Sequence, residues 1–213
     1  MIGVIEEREF RENALFSQRF LAFIIDFFFC FLIIWAVTMP FGTNDKVYEL
    51  REERTGVINE FLNGEIGLTP MVRNAFELQY YISQERIVIS VITLMVYVGY
   101  FIIYGFIKNG QTLGKRLLRI RIVHIEEEKK IRIINIFIRS LIINWIFINM
   151  IAIVFVLIGN KEFFSRGMFV AELSQIIVFF VCFMGITINE RRGLHDKLAS
   201  TIVIKDKLKY EVK

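Results

Sequence analysis

One carboxylate stands inside a long apolar run near the start of the chain. The run RFLAFIIDFFFC (19–30) begins with Arg19 and holds Asp26 among bulky apolar residues. Arg19, Ala22 and Asp26 are spaced by three and four, so they share one helix face, with Asp26 about 10 Å along the axis from Arg19. An aspartate at the centre of a membrane helix costs about 2.5–3.5 kcal/mol on insertion scales, whereas one hydrogen bond recovers about 1 kcal/mol. Asp26 therefore needs a cation as partner, or it takes up a proton.

Two roles for Asp26 remain open on the sequence. Arg139, at the expected entrance of a later span, is the best-placed cation besides Arg19, and such an ion pair would hold two helices together. An unpaired carboxylate inside a membrane would instead be an ion or proton site.

Two further polar stripes are predicted at helical spacing. They consist of Ser90, Thr93, Tyr97, Tyr100 and Tyr104, and of Glu172, Gln175, Phe179, Cys182, Ile186 and Asn189. Lipid cannot satisfy hydroxyl and amide groups, so both stripes are expected to face other helices. They either form hydrogen bonds between helices or line a hydrated path.

The segment NGQTLGKRLLRIRIV (109–123) carries basic residues among Leu and Ile. We expect Lys115, Arg116 and Arg119 to contact anionic lipid at the inner membrane surface, where each base contributes about 1 kcal/mol. The segment lacks the spacing of a phosphate-binding P-loop, so nucleotide binding is not expected.

Other chemistry is weakly indicated. Cys30 and Cys182 are expected to pack, and His124 and His195 are too far apart in sequence to indicate a metal site. No nucleophile elbow or dinucleotide-binding glycine pattern occurs. We therefore expect no enzyme activity, no metal and no cofactor.

The elements that carry these residues follow from composition. The chain has 213 residues, 55% of them hydrophobic, and a mean hydropathy of +0.52, above the usual range of soluble domains. Four apolar runs are about long enough to span a bilayer: 20–39, 87–107, 141–158 and 168–188. The sequence predicts an all-α membrane protein, a four-transmembrane-helix bundle that forms a single domain over 1–213.

The distribution of Lys and Arg predicts the orientation. Segments 108–139 and 189–213 hold nine and seven of these bases, whereas segment 40–86 has five bases against eight acids. The positive-inside rule then places both termini in the cytoplasm and 40–86 outside a cell membrane. The excess of positive charge belongs to cytoplasmic loops, so a nucleic-acid partner is not expected.

Two smaller features are predicted outside the spans. The external loop 40–86 carries an amphipathic helix ending near Gly64, then Thr69–Pro70 as the start of a second helix that runs through Arg86 into the next span. The β-branched runs 119–123 and 201–205 are expected to pair as a small cytoplasmic sheet. That pairing would draw Asp196, and with it His195, toward Arg19, Asp26 and Arg139.

Three motifs in this order resemble those of the RDD family of membrane proteins. They are Arg19-x-x-Ala22-x-x-x-Asp26, NGQTLGKRLLRIRIV (109–123) and RRGLHDKLASTIVI (191–204), and with Arg139 they cover about 17–205. The resemblance implies a bacterial-type integral membrane protein for which ligand transport or cation/proton exchange is the usual suggestion. It assigns Arg19 and Asp26 to the site, with Asp196 as a third member, and says nothing about 40–86 or Glu172.

Two functions are therefore expected as alternatives. In the first, the protein transports a cation, a proton or a small ligand through Asp26, and four helices would then require a homo-oligomer. In the second, it is a non-transporting adaptor or regulator that binds a protein partner, and the Arg/Asp cluster is structural.

Overall fold

The computed structural model describes residues 12–42, 44–126, 128–188 and 192–206, with the backbone alone for 186–188. Asn189 of the second polar stripe and Arg191 of the third motif lie outside the described residues. The structure is mostly helical, at 76%, with one small sheet.

The elements follow one another along the chain without large excursions. They are α1 (Phe16–Thr38), a 3-10 turn (Met39–Phe41), α2 (Asp45–Leu62), α3 (Leu68–Glu85), α4 (Ile87–Tyr97), a π-helical segment (Val98–Tyr104), α5 (Gly105–Ile107), α6 (Leu113–Leu117), β1 (Ile120–His124), α7 (Ile133–Ile143), α8 (Ile146–Ile158), α9 (Lys161–Ile188), α10 (Leu194–Leu198) and β2 (Thr201–Lys205).

Three helices among the described residues are long and apolar enough to cross a membrane: Phe16–Phe41, Ile87–Ile107 and Lys161–Gly185. The pair α7 and α8 passes the same test together but is bent by 72°, so there are three spans, or four if the pair is one span. This confirms the predicted class of helical membrane bundle. The last span begins at Lys161 rather than at 168.

The prediction of one continuous helix over 141–158 is wrong. α7 ends at Ile143 and α8 begins at Ile146, because Trp145 has a φ of +59°, a left-handed conformation that interrupts a right-handed helix. Asn149 donates a 2.8 Å hydrogen bond to the Trp145 carbonyl oxygen at this bend. Apolar composition is the same on both sides of the bend, so hydropathy does not reveal it.

The segment 40–86 forms a hairpin of two helices, α2 and α3. Asn44 caps α2 by accepting a 2.9 Å hydrogen bond from the Val47 N–H, and α2 ends at Leu62, close to the predicted stop at Gly64. α3 begins at Leu68 with Gly67 as its N-cap, so Thr69–Pro70 is not the start.

The hairpin packs on other helices and does not continue into the second span. The predicted continuation through Arg86 is wrong, since Arg86 breaks the helix with a φ of −109° and a ψ of 21°. α3 lies against α8 and α9, where Phe76 packs edge-on to Phe169 and Tyr80 edge-on to Phe164.

The predicted strand pairing is confirmed one residue further along. β1 and β2 are antiparallel, with Ile122 opposite Val203 and His124 opposite Thr201. Ile120, Ile122 and Val203 form a buried cluster with Ala22 of α1. The sheet therefore sits on the start of α1, and we call this the sheet end of the bundle; the α2–α3 hairpin lies at the other end of α1, the hairpin end.

Candidate functional site

Asp26 is buried in α1 and receives hydrogen bonds from the segment that follows the second span. The Tyr100 hydroxyl donates to its Oδ1 at 2.6 Å, and the Gly114 N–H donates to the same oxygen at 2.7 Å. The Thr112 hydroxyl donates to Oδ2, and the Lys115 ammonium lies 3.8 Å from that oxygen. Every partner is a donor, so the carboxylate is compensated by four groups although it is only 1% exposed.

A glycine makes this arrangement sterically feasible. A Cβ at Gly114 would lie 2.3 Å from the Ala22 carbonyl oxygen and 3.0 Å from the Asp26 carboxyl group. α6 can therefore approach α1 closely only with glycine at this position. The spacing of Thr112, Gly114 and Lys115 in the second motif thus places three partners around one carboxylate.

The π-helical segment of the second span orients Tyr100. Tyr100, Phe101 and Ile102 are all buried, although three consecutive residues of a regular α-helix point in different directions. The Tyr100 hydroxyl accepts a 3.1 Å hydrogen bond from the Leu113 N–H while it donates to Asp26. It therefore joins the second span, α6 and α1.

Asp196, in α10, is the centre of a second set of contacts. It is 0% exposed, and its carboxylate pairs with Arg19 at 3.2 Å and with Arg139. The Gly193 N–H donates to it at 3.3 Å and the Thr201 hydroxyl at 3.4 Å. Asp196 thereby links α1 and α7 to the segment that leads into β2.

The expected pairing of Asp26 with Arg19 or Arg139 is therefore wrong. Both arginines pair with Asp196, and Lys115 is the cation beside Asp26. The reason is topological, because the sheet brings α10 between the two arginines and leaves Asp26 to α6. The expected approach of Asp196 to Arg19 and Arg139 does occur.

Two ionisable groups of this region lie outside the spans and have altered pKa values. Burial, followed by the charges of Arg139, Arg19 and Lys115, lowers the pKa of His195 well below its usual value. Burial also lowers the pKa of Lys115 to about 8, against the opposing effect of Asp26. His195 is therefore neutral at pH 7, and Lys115 is mostly charged.

These groups surround a small, largely enclosed cavity of about 50 Å³. We call its ionisable neighbourhood the charged cluster, which consists of Arg19, Asp26, Lys115, Arg139, His195 and Asp196. With a neutral His195, three cations face two carboxylates. The cluster thus has one positive charge in excess within an interior that screens charge poorly.

The sequence model of the RDD family matches residues 13–200, most of the chain and all of the charged cluster. The chain belongs to the RDD family. It is a membrane protein with several apolar helices. No curated protein and no solved structure matches it.

In this RDD family protein the polar stripe of the second span connects two cavities. Ser90 and Thr93 line a more open cavity of about 520 Å³ at the hairpin end, and Tyr97 follows as a half-buried residue. Tyr100 reaches Asp26 at the charged cluster.

The stripe of α9 is arranged differently. Gln175 is buried and its amide donates a 2.7 Å hydrogen bond to the Ile142 carbonyl oxygen, close to the bend between α7 and α8. Glu172 is half-buried and interacts electrostatically with Arg54 of α2. The two stripes do not line one common cavity in the part of the chain that is described.

The three bases expected at lipid divide into two groups. Arg116 and Arg119 are exposed, so their contact with anionic lipid stays a prediction. Lys115 is directed into the charged cluster and is 16% exposed at its side chain.

Sequence reasoning missed Thr112, Gly114 and Lys115 as partners of Asp26. The available signal was the motif itself, since a Thr, a Gly and a Lys within four residues supply a hydroxyl, a close backbone N–H and an ammonium. Within the described residues, no group of three or more His, Cys, Asp or Glu side chains could hold a metal ion.

Proposed function

We propose that this RDD family protein is a multi-pass protein of the cell membrane that passes a small ion or ligand between the two faces, with the charged cluster as the closed gate. The observation that carries the proposal is the polar face of the second span, which begins with Ser90 and Thr93 in the hairpin-end cavity and ends with Tyr100 on Asp26. A polar face inside a membrane needs protein or water as partner, and this one joins an open cavity to ionisable groups.

The proposed orientation has both termini and the sheet end in the cytoplasm. It is supported by the high density of Lys and Arg in 108–139 and 189–213, and by the net negative charge of 40–86. The hairpin-end cavity then faces the outside.

The charged cluster has the properties of a gate. Its members come from four separate elements, α1, α6, α7 and α10, so a displacement of any one of them breaks an ion pair and enlarges the cavity. At about 50 Å³ the cavity holds water or a small ion and nothing larger.

The charge of the cluster favours some ligands over others. Three cations against two carboxylates disfavour a bare cation in this cavity and favour an anion or a neutral ligand. Four spans enclose little space, so we also propose that the working unit is a homo-oligomer.

Flux through purified protein in liposomes tests the proposal. We expect the wild type to dissipate at least one of the imposed proton, sodium, potassium or chloride gradients, followed with entrapped dyes. Asp26→Asn and Lys115→Gln should change that flux at least several-fold, whereas Lys197→Gln, an exposed neighbour of the cluster, should not. A wild type that leaves every gradient intact would refute transport of these ions.

Thiol labelling tests the orientation. Both native cysteines are buried at 0% exposure, so an impermeant maleimide should report on an introduced cysteine. We expect Asn59→Cys to be labelled in intact cells and Arg116→Cys only after permeabilisation. The reverse pattern would contradict the orientation.

A second candidate function is favoured by the contacts of Asp26. Three hydrogen bonds and one ammonium leave this carboxylate fully partnered, as in a structural tie between α1 and α6. In that case the protein is a membrane adaptor or regulator. Asp26→Asn would then lower the folded yield, and no gradient would be dissipated by the wild type.

A further inference from the structure

The cavity at the hairpin end is rich in positive charge. It has a volume of about 520 Å³ and lies between α2, α3, α4 and the end of α1. Arg51 and Arg54 of α2 and Arg86 before α4 line it, together with hydroxyl and amide side chains. Among the described residues no carboxylate lines this cavity.

The arginines are not neutralised by nearby acids. Arg51 and Arg86 form no ion pair within 4 Å with a described residue, and Arg54 donates to the amide oxygen of Gln79. Glu85, adjacent to Arg86 in sequence, instead pairs with Lys46. The carboxylate that interacts with Arg54, Glu172, is not part of the cavity wall.

Arg86 is the clearest unsatisfied group. Its Nε is buried and has no hydrogen-bond partner in the described structure. Burial and the neighbouring Arg51 guanidinium lower the pKa of Arg86. Two guanidinium groups that repel each other beside an unused buried donor are stabilised together by one anion placed between them.

We propose that this cavity binds a small oxyanion, a phosphate or carboxylate group, held by Arg51, Arg54 and Arg86. The planar guanidinium group donates two parallel hydrogen bonds, which match the two oxygens of a carboxylate or phosphate. The hydroxyl groups of Ser83 and Ser90 on the same wall add neutral donors. A volume of about 520 Å³ is in the range of small-molecule sites, so the cavity accommodates an organic anion as well as an inorganic one.

The oxyanion can come from solution or from the headgroup of a phospholipid, since both present the same chemistry to the arginines. The inference goes beyond the proposed function, because binding in this cavity does not require passage through the charged cluster. A protein that binds the oxyanion without dissipating any gradient would refute transport and leave this site intact.

Binding is tested on the full-length protein in neutral detergent by calorimetric titration with inorganic phosphate and with succinate at constant ionic strength. We expect saturable binding of at least one of these probes. Arg51→Gln and Arg86→Gln should each weaken it about tenfold or more, the loss expected for a charged hydrogen-bond donor. Arg73→Gln, an exposed arginine of α3 outside the cavity, should stay within about twofold of the wild type.

A lipid measurement distinguishes the two sources. The protein is purified from vesicles of mixed phosphatidylcholine and phosphatidylglycerol, and the retained lipid is quantified by mass spectrometry. Retention of phosphatidylglycerol that is lost in Arg51→Gln, without binding of either soluble probe, identifies a lipid headgroup as the oxyanion. Arg51 is exposed, so this variant decides the question even if Arg86→Gln does not fold. If neither soluble probe nor phosphatidylglycerol distinguishes the wild type from Arg51→Gln, the proposed site is refuted.

Discussion

The backbone N–H of Gly114 donates a 2.7 Å hydrogen bond to the carboxylate of Asp26, and no side chain fits between the two residues. This contact joins α6, a short helix outside the spans, to the interior of the first span. It explains in physical terms why the two motifs occur together in one chain.

Gly114→Ala should destabilise the protein. The added Cβ would lie 2.3 Å from the Ala22 carbonyl oxygen, so α6 must move away from α1 and its bonds to Asp26 lengthen. We expect a loss of about 1–3 kcal/mol, measured by thermal unfolding in detergent. Gly56→Ala in α2, where a Cβ meets nothing within 4 Å, should be neutral or stabilising. Equal stability of the two variants would contradict the close approach.

Asp26→Asn should be rescued by a change at Lys115 and not by one at Arg139. Removing one partner of a buried ion pair leaves the other charge uncompensated, at a cost of about 3–5 kcal/mol. Lys115 is the cation beside Asp26, at 3.8 Å, whereas Arg139 pairs with Asp196. Folded yield after Asp26→Asn should therefore rise when Lys115→Met is added. Rescue by Arg139→Gln instead would mean that the ion pairs are exchanged.

Stability should fall as the pH drops below about 6.5, through His195. Its pKa is well below the usual value in the folded protein, so between the two values the unfolded chain binds a proton that the folded chain does not. The unfolded state therefore gains stability as the pH falls, by up to about 1.4 kcal/mol per pH unit for one group. Melting temperatures between pH 7 and 5.5 measure this slope. His195→Leu should flatten it and His124→Gln should retain it; an unchanged slope in His195→Leu would exclude this group.

Gln175→Leu should weaken the junction between α9 and the bend of α7 and α8. The Gln175 amide donates to the Ile142 carbonyl oxygen at 2.7 Å, and its loss leaves a carbonyl group unsatisfied at the end of α7. A loss of about 1–3 kcal/mol is expected, measured by thermal unfolding in detergent. Ser174→Leu, at the exposed neighbouring position, serves as the control. If both variants melt together, the hydrogen bond contributes nothing.

The spans could be predicted from the sequence because hydropathy is a local property. The bounds 87–107 of the second span match Ile87–Ile107, and the strand pairing was found within one residue. The bend at Trp145 could not be predicted, since a left-handed φ is imposed there by packing and leaves the apolar pattern unchanged. The same holds for Arg86, where a helical pattern continues across a break in the backbone.

The site was predicted in its membership more than in its pairing. Arg19, Arg139 and Asp196 do come together, as the predicted sheet implied. Lys115 was assigned to the lipid surface because a base among Leu and Ile is typical of a membrane interface, and periodicity within a five-residue helix cannot show which face is buried.

The sequence by itself determined that the protein is a helical membrane protein and that Asp26 requires compensation, because both follow from the free energy of placing residues in hydrocarbon. Only the tertiary structure decided which groups compensate Asp26. That choice depends on distances of a few ångströms between segments about 90 residues apart, which are set by the close approach of Gly114 to α1 and by the sheet that carries Asp196 to the two arginines.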